Sequence, residues 1–420
     1  MLHQVLFFVF AALCIAGAVN LLAQRHPINS ALSHGIGDEV LKEVARRLKR
    51  VASDHAYVAR LGGDEFAAFT THPAVSADAA ANEGLELATA IEHALAETVK
   101  IGDHVLDIGA SIGVATFAAD AGTPDEALHH AAMALWVSKN RERGHTHLFD
   151  SSMQAVADRQ LQVERGLRVA IARDEFSLHF QPQVDATGKT VGAEALLRWN
   201  SRELGPVSPA ELLPVAERTG VIHVIGDWVL DEACRSLAKW ARDGVPFAGV
   251  VAVNVSPWQF TRADFVDRVS TAVAHHGIDP RRITLEILES ALLQDLRESV
   301  GKLEALRAKG FAISLDDFGT GYSSLAYLQT LPLDEFKIDR MFVAPLEENA
   351  GALVRSMITV GRHLELGIVA EGVETATQRD RLLEMGCERF QGYLFCRPLP
   401  EAEWLAWLAV EKIGDRPLFA

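Results

Sequence analysis

Acidic, amide and basic side chains end a series of short apolar segments between residues 176 and 396. The segments read FSLHFQP, VGAEALLRW, VVAVNVSP, ITLEILES, FAISLDDFGTG, EFKIDR, GIVAEGVE and RFQGYLF. Their polar residues are Gln181, Glu194, Asn254, Glu286, Asp316 with Asp317, Lys337, Glu371 and Gln391. Carboxylate and amide oxygens are the ligands that hard divalent cations prefer. The pattern therefore indicates metal-assisted chemistry.

The apolar segments have the length of buried strands, and helical stretches separate several of them. Eight such units predict a (β/α)8 barrel, in which the carboxyl ends of the strands meet at one rim and carry the active site. A strand that is buried on both faces has no structural use for so many acids. We therefore expect these residues to be functional.

Composition limits the classes of protein that the chain can belong to. Its 420 residues predict two domains, and 49% hydrophobic with 23% charged residues is typical of ordered globular protein. A net charge of −16 argues against nucleic acid as a partner. The four cysteines form no CxxC pair, which favours a reducing, cytoplasmic compartment.

Seven motifs of this region, in family order, resemble those of the EAL domain, the cyclic di-GMP phosphodiesterase barrel. They are EALLRW from Glu194, NVSP from Asn254, LEILES from Leu285, DDFGTGYSSL from Asp316, FKID from Phe336, AEGVE from Ala370 and QGYLF from Gln391. The resemblance extends over residues 160–405, and we place the domain at 174–412. It implies a TIM-like barrel that hydrolyses cyclic di-GMP to linear pGpG by two-metal catalysis and forms a homodimer through this domain.

The same resemblance assigns roles to individual residues. It implies two Mg²⁺ or Mn²⁺ ions held by Glu194, Asn254, Glu286, Asp316, Asp317 and Glu371. Catalytic roles fall to Glu194, Lys337, Glu371, Asp317 and Glu289, the last through the loop that presents the aspartates. Substrate contacts fall to Gln181, Arg198 and Gln391.

The two adjacent aspartates need a particular backbone. Neighbouring residues of a strand point to opposite faces, so Asp317 must lie where the strand gives way to a loop. Gly319 and Gly321 follow directly and make such a turn plausible.

Residues 25–150 resemble a GGDEF domain, a diguanylate cyclase of the nucleotidyl-cyclase-like α/β fold, in truncated and degenerate form. Gly62, Gly63, Asp64 and Glu65 stand within RLGGDEF, Asn29 and Asp38 match the guanine-contacting pair, and Lys139 and Arg143 match phosphate contacts. Where the family has Asp-Leu-Asp, this chain has Leu21-Leu22-Ala23, and residues 1–37 contain no Asp or Glu. Phosphoryl transfer depends on metal ions held by such acids, so we expect no cyclase activity. The domain is then a regulatory GTP site or a packing module.

The first 24 residues form an apolar segment with two interpretations. Residues 5–19 carry no charge, and Arg25 and His26 follow. Residues 5–23 could anchor the protein in the inner membrane with its catalytic domains in the cytoplasm. Alternatively, the segment is a buried helix and strand of the first domain. Residues 151–173 read as a helix that connects the two domains.

Two further functions compete with hydrolysis. A non-catalytic cyclic di-GMP receptor would share the fold, although such receptors usually lack some metal ligands. Barrels with acids and a lysine at the strand ends also perform metal-assisted proton abstraction.

Overall fold

The computed structural model describes residues 7–14, 30–53, 56–70, 76–101, 104–106, 108–118, 123–141, 145–293, 295–319, 328–348 and 351–413. The chain divides into two compact units between Arg159 and Gln160. Each unit has its own hydrophobic core.

The first unit is an α/β domain with a mixed sheet. Its elements are β1 (Phe7–Cys14), α1 (Ser30–Ala52), β2 (Ala56–Gly62), β3 (Glu65–Thr70), α2 (Ala77–Ala96), β4 (Val99–Ile101), β5 (His104–Leu106), β6 (Ser111–Ala118), α3 (Pro124–Arg141) and β7 (Thr146–Leu148). The sheet has the order β2-β3-β1-β6-β7, and β4 pairs with β5 separately. Helix α1 buries Val40, Val44 and Leu48, which its four-residue spacing places on one face.

Part of the apolar amino-terminal segment is a strand. Strand β1 pairs antiparallel with β3 on one side and with β6 on the other. Within the described ranges, no helix combines the length and hydrophobicity needed to cross a bilayer. The second interpretation, a strand of the first domain, therefore holds for Phe7–Cys14, and the described residues do not support the predicted anchor at 5–23. The remainder of that segment lies outside them.

The second unit begins in the connecting helix and is a closed barrel. Helix α4 (Ser151–Ala170) lies within the predicted connecting segment, residues 151–173, and buries Val163, Leu167 and Ala170. The strands are β8 (Phe176–Asp185), β9 (Thr190–Ser201), β10 (Gly205–Val207), β11 (Val250–Val255), β12 (Ile283–Leu288), β13 (Ala312–Phe318), β14 (Glu335–Ile338), β15 (Gly367–Ala370), β16 (Arg389–Phe390) and β17 (Leu399–Pro400). Strands β8, β9 and β11–β16 form the ring, which the pairing of β16 and β9 with β8 closes.

Helices surround this ring. They are α5 (Pro209–Thr219), α6 (Ile222–Arg242), α7 (Pro257–Phe260), α8 (Phe265–His275), α9 (Glu289–Leu292), α10 (Leu296–Ala308), α11 (Arg340–Val343), α12 (Ala352–His363), α13 (Ala376–Met385) and α14 (Glu401–Ile413). Short 3₁₀ turns lie at Pro280–Arg282 and Ala344–Glu348. The eight predicted ring strands and the mixed α/β class are confirmed.

The first ring strand runs against its neighbours. Strand β8 pairs antiparallel with both β9 and β16, whereas β9 and β11–β16 are mutually parallel. Only residues 186–189 separate β8 from β9, and a parallel crossover needs a dozen residues or more. The Asp185 carboxylate accepts hydrogen bonds from the Thr187 and Lys189 amides and closes this tight turn.

Two helical glycines of the barrel give a matched stability test. A Cβ at Gly361 in α12 would lie 2.5 Å from Cε1 of the buried Phe336, whereas a Cβ at Gly301 in α10 meets no atom within 4 Å. We expect Gly361→Ala to lower the free energy of unfolding by about 1–3 kcal/mol through overpacking. Gly301→Ala should raise it by about 0.5–1 kcal/mol through helix propensity. Urea unfolding measures both, and equal effects would contradict the packing described for α12.

Candidate active site

The ring strands bring the predicted polar residues to one rim. Asn254 on β11 lies opposite Glu286 on β12, and Ala252, two residues before Asn254, lies opposite Glu194 on β9. Asp316 lies two residues before the end of β13, Lys337 lies on β14, and Glu371 and Gln391 follow β15 and β16 directly. The shared strand direction and register therefore place side chains that are distant in sequence within contact of one another.

Lys337 is the centre of this group. Its Nζ lies 2.5 Å from Glu371 Oε1, 3.0 Å from Glu286 Oε2, 3.5 Å from Asp316 Oδ1 and 3.6 Å from Glu194 Oε2. The lysine is 1% exposed. Burial acts to lower the pKa of Lys337, but the carboxylates, Glu194 first, hold it well above its usual value. The surrounding carboxylates therefore favour the ammonium form of Lys337.

The carboxylates around it differ in their affinity for protons. Burial and the charge of Glu194 raise the pKa of Glu286 well above its usual value. Burial and neighbouring charges also raise the pKa of Glu371 to about 7, against the pull of Lys337. Burial would raise the pKa of Glu194 too, but Lys337 and hydrogen bonds from Gln391 and Asn254 lower it overall. One ammonium thus faces four acids, and the site attracts further positive charge.

The donor set fits hard divalent cations. Neither oxygen of the buried Glu286 side chain has a hydrogen-bond partner among the described residues, although Oε2 is within ion-pair distance of Lys337. The acids contact Lys337, and within the described ranges no three His, Cys, Asp or Glu side chains are positioned together to hold a metal ion. Buried carboxylate oxygens without hydrogen bonds are costly unless cations compensate them, and a single ammonium, that of Lys337, serves four acids here. Oxygen is the ligand of choice for Mg²⁺ and Mn²⁺.

Amides from two strands hold the Glu194 carboxylate. Asn254 Nδ2 donates to Oε1 over 2.6 Å, and Gln391 Nε2 donates to Oε2 over 2.5 Å. Gln391 Nε2 also donates to Gln181 Oε1, and Gln181 Nε2 donates to the Cys396 carbonyl. Gln181 lies directly opposite Glu194 in the register of β8 and β9. The expectation that Gln181 and Glu194 stand at the carboxyl ends of parallel strands is wrong, because Gln181 lies in the middle of the reversed β8 and Glu194 lies within the longer β9.

Strand β13 is irregular at the aspartate pair but continues to Phe318, so the two aspartates lie at a bulge within the strand and not, as predicted, where the strand gives way to a loop. The register of β13 with β14 is irregular between Leu315 and Phe318, and Asp317 has a left-handed φ of 54°. Its amide donates to Asp316 Oδ1 over 3.0 Å. Burial, followed by the charges of Asp316 and Asp339, raises the pKa of Asp317 to about 6.

The buried Glu289 lies beside this bulge. Its Oε2 accepts a hydrogen bond from the Gly319 amide over 3.4 Å. The predicted anchoring contact is therefore present at the start of the loop. Residues 320–327 of the loop lie outside the described ranges.

A cavity of about 240 Å³ opens over the site. Gln181, Glu194, Asp316, Lys337, Glu371 and Gln391 line it, together with Arg340, Glu374 and Tyr393, which the sequence analysis missed. Arg340 pairs with Glu374 over 2.9 Å, and the Arg397 guanidinium lies 4.2 Å from the centre of the Tyr393 ring. Glu374 and Tyr393 belong to the AEGVE and QGYLF motifs, so those motifs carried a signal for them.

Arg198 lies outside the lining of that cavity. It lines a neighbouring, mainly apolar cavity of about 330 Å³ with Trp199, Leu212 and Glu217. Its Nη1 donates to the Leu197 carbonyl, and burial lowers the pKa of the guanidinium. Substrate contact by Arg198 thus remains a prediction.

The candidate site of the first unit is only partly described. Strands β2 and β3 form a hairpin, with Gly63 in the left-handed region at φ 52° and Asp64 next to it in the turn. Lys139 Nζ lies 3.5 Å from Glu65 Oε1, and Asp38 is exposed on α1. Asn29, Arg143 and residues 21–23 lie outside the described ranges.

Family comparisons cover both units. Residues 164–398 match the EAL domain, and residues 25–145 match the diguanylate cyclase GGDEF domain. Among solved structures, the PaMucR phosphodiesterase in complex with c-di-GMP is 46% identical, with a TM-score of 0.56 over 58% of this chain and 99% of that one. The EAL enzyme Bd1971 with cAMP and cyclic di-GMP is 27% identical, with a TM-score of 0.57 over 73% of this chain and 82% of that one.

Curated relatives extend over nearly the whole chain. The bifunctional diguanylate cyclase/cyclic di-GMP phosphodiesterase MucR of Pseudomonas aeruginosa is 42% identical over 91% of this chain and 55% of its own length. The cyclic di-GMP phosphodiesterase NbdA of the same species is 38% identical over 93% of this chain and 49% of its own length. The chain spans about half the length of these relatives. By its motifs, its barrel and these matches, the chain belongs to the EAL domain family and carries a GGDEF domain ahead of its EAL domain.

Proposed function

We propose that the chain is a cyclic di-GMP phosphodiesterase that opens its substrate to linear pGpG. The observation that carries the proposal is the buried Lys337 ammonium among four carboxylates, with both Glu286 oxygens lacking a hydrogen-bond partner among the described residues. The names of MucR and NbdA support cyclic di-GMP phosphodiesterase activity.

Two divalent cations, Mg²⁺ or Mn²⁺, would neutralise the substrate phosphate and activate water when bound. The residues that would hold them are Glu194, Asn254, Glu286, Asp316, Asp317 and Glu371. Asn254 suits this role because its Nδ2 already donates to Glu194, which leaves its carbonyl oxygen for a cation.

Lys337 and the rim residues would act on the substrate directly. The Lys337 ammonium can donate hydrogen bonds to a non-bridging phosphate oxygen once cations compensate the surrounding acids. Gln181 and Gln391 line the cavity and would orient the nucleotide, and Arg198 would bind a phosphate from beside it. We also propose a homodimer through the EAL domain, as in the family resemblance.

For the GGDEF domain we propose a regulatory role without cyclase activity. Leu21, Leu22 and Ala23 stand where cyclase chemistry needs carboxylates, and no acid precedes Asp38. The GGDEF turn and its Glu65–Lys139 pair are present, so GTP binding without turnover fits this domain.

Glu194→Ala tests the hydrolytic site. The substitution removes a metal ligand and the acceptor of two amide hydrogen bonds, so we expect pGpG formation from cyclic di-GMP with Mg²⁺ or Mn²⁺ to fall more than about 100-fold. Chromatography of the product measures it. Glu203→Ala, at an exposed glutamate just after the same strand, should hydrolyse normally. Unchanged turnover in Glu194→Ala would refute the site, and tight binding without turnover by the unsubstituted protein would make it a receptor.

Two substitutions of Asp317 separate the effect of its charge from the effect of its backbone conformation. Asp317→Asn and Asp317→Ala both remove a carboxylate, and each should lower hydrolysis at least about 10-fold. Asparagine tolerates the left-handed region, but alanine does not, so the Ala variant should be less stable than the Asn variant by about 1 kcal/mol. Thermal unfolding compares the two. Equal stability would contradict the backbone argument, and full activity of either would contradict the ligand role.

The first domain is tested with GTP. Incubated with GTP and Mg²⁺, the Glu194→Ala variant, which should not hydrolyse the product, should form no cyclic di-GMP, because the acid that anchors the cyclase metals is missing. Asp64→Ala with Glu65→Ala should leave basal hydrolysis within about twofold, since neither residue lies in the barrel. Cyclic di-GMP synthesis that this double variant abolishes would overturn the assignment.

A further inference from the structure

A third buried glutamine, Gln183, lies next to Gln181 and Gln391. Gln183 is on β8, two residues beyond Gln181, and is 5% exposed. Its Nε2 donates to Gln391 Oε1 over 3.1 Å. Gln391 in turn donates through Nε2 to Glu194 Oε2 and to Gln181 Oε1. A chain of hydrogen bonds therefore runs from Gln183 through Gln391 to the Glu194 carboxylate.

The direction of this chain follows from what each group can donate. The ionised Glu194 carboxylate only accepts, so Gln391 must present its NH₂ group to it. The Gln391 carbonyl oxygen then points away and needs a donor in the buried interior, which Gln183 Nε2 supplies. If the Gln391 amide turned over, its oxygen would face Glu194 and repel it. Gln183 holds the amide in the attractive orientation.

Gly192 provides the space for the Gln183 amide. The two residues are partners in the register of β8 with β9, which shifts immediately after Gln183. A Cβ at Gly192 would lie 2.8 Å from Gln183 Oε1 and 3.3 Å from Val250 Cγ2. Any larger residue at position 192 would therefore displace the amide.

We propose that Gln183 is a positioning residue of the hydrolytic site, which fixes the Gln391 amide and through it the Glu194 carboxylate. The inference rests on the proposed function, because it assigns Glu194 to cation binding. Partners of this kind, one bond removed from a ligand, typically change metal affinity or activity 10- to 100-fold when they are removed.

Two substitutions of Gln183 test this role. Gln183→Met keeps the size of the side chain without a hydrogen bond, so Mn²⁺ should bind about 10-fold more weakly and kcat for cyclic di-GMP should fall about 10-fold, with KM little changed. Gln183→Glu places an acceptor opposite Gln391 and draws its NH₂ group away from Glu194, so the loss should exceed that of the Met variant. An added negative charge alone would strengthen cation binding, so weaker Mn²⁺ binding distinguishes positioning from charge.

Calorimetry with Mn²⁺ and no nucleotide gives the readout that does not depend on turnover. Gln162→Met, at an exposed glutamine of α4, is the matched control and should bind Mn²⁺ normally. Thermal unfolding of each variant shows whether it is folded. A Gln183→Met variant that binds Mn²⁺ and hydrolyses cyclic di-GMP like the unsubstituted protein overturns the proposal. Failure to bind Mn²⁺ at all by the unsubstituted protein overturns it as well. The two proposals can also separate. If the unsubstituted protein binds Mn²⁺ but does not hydrolyse cyclic di-GMP, and the Met variant binds Mn²⁺ more weakly, the positioning role of Gln183 is supported and the proposed phosphodiesterase activity is refuted.

A double-mutant cycle with Gly192 tests the same amide chain if the Met or Glu variant of Gln183 folds poorly. Gly192→Ala should weaken Mn²⁺ binding about 10-fold by displacing the Gln183 amide. In a Gln183→Ala background no amide remains to be displaced, so the same change should cost less than about twofold. Equal losses in both backgrounds would show that Gly192 acts through Val250 and would count against the amide chain.

Discussion

The buried ion cluster around Lys337 is the constraint on which the rest of the barrel depends. A lysine and four carboxylates tolerate removal from water only because each compensates the others at 2.5–3.6 Å. Those distances require Glu194 on β9, Lys337 on β14 and the acids of the neighbouring strands to lie at the same height in the barrel. The cluster still has more negative than positive charge, so its most favourable state includes additional cations. The structural requirement and the proposed chemistry thus come from the same excess of charge.

The reversal of β8 supplies what a uniformly parallel barrel would lack. Strand β8 runs antiparallel to β9, with Gln181 opposite Glu194 and Gln183 opposite Gly192. Neither glutamine therefore stands at the carboxyl end of a strand. Their amides meet Gln391 in the interior, where a neutral hydrogen-bonding network costs less than further charges. Glu194 is held ionised by the ammonium and these amides together, whereas Glu286 and Glu371 have raised pKa values.

Much of this architecture is readable from the sequence, and the exceptions have physical reasons. Acids in buried strands identify the rim, because burial makes them too costly without a function. The antiparallel direction of β8 was not predicted, although residues 186–189 are too few for a crossover. A role for Gln183 was not predicted either, because it depends on the register opposite Gly192. Hydropathy alone could not distinguish a membrane helix from a strand at Phe7–Cys14, since both are continuous apolar runs.

The two domains differ in how far their folds depend on the residues of their sites. In the GGDEF domain the hairpin is present at Gly62 and Gly63, and Glu65 has a cationic partner in Lys139. Both features depend on backbone conformation and local pairing, which do not require an acid at residues 21–23. In the barrel the site residues bear on the fold more directly, because its acids and Lys337 compensate one another on burial. Loss of one carboxylate there would alter the electrostatic balance of the core, so substitutions of these acids change stability as well as chemistry.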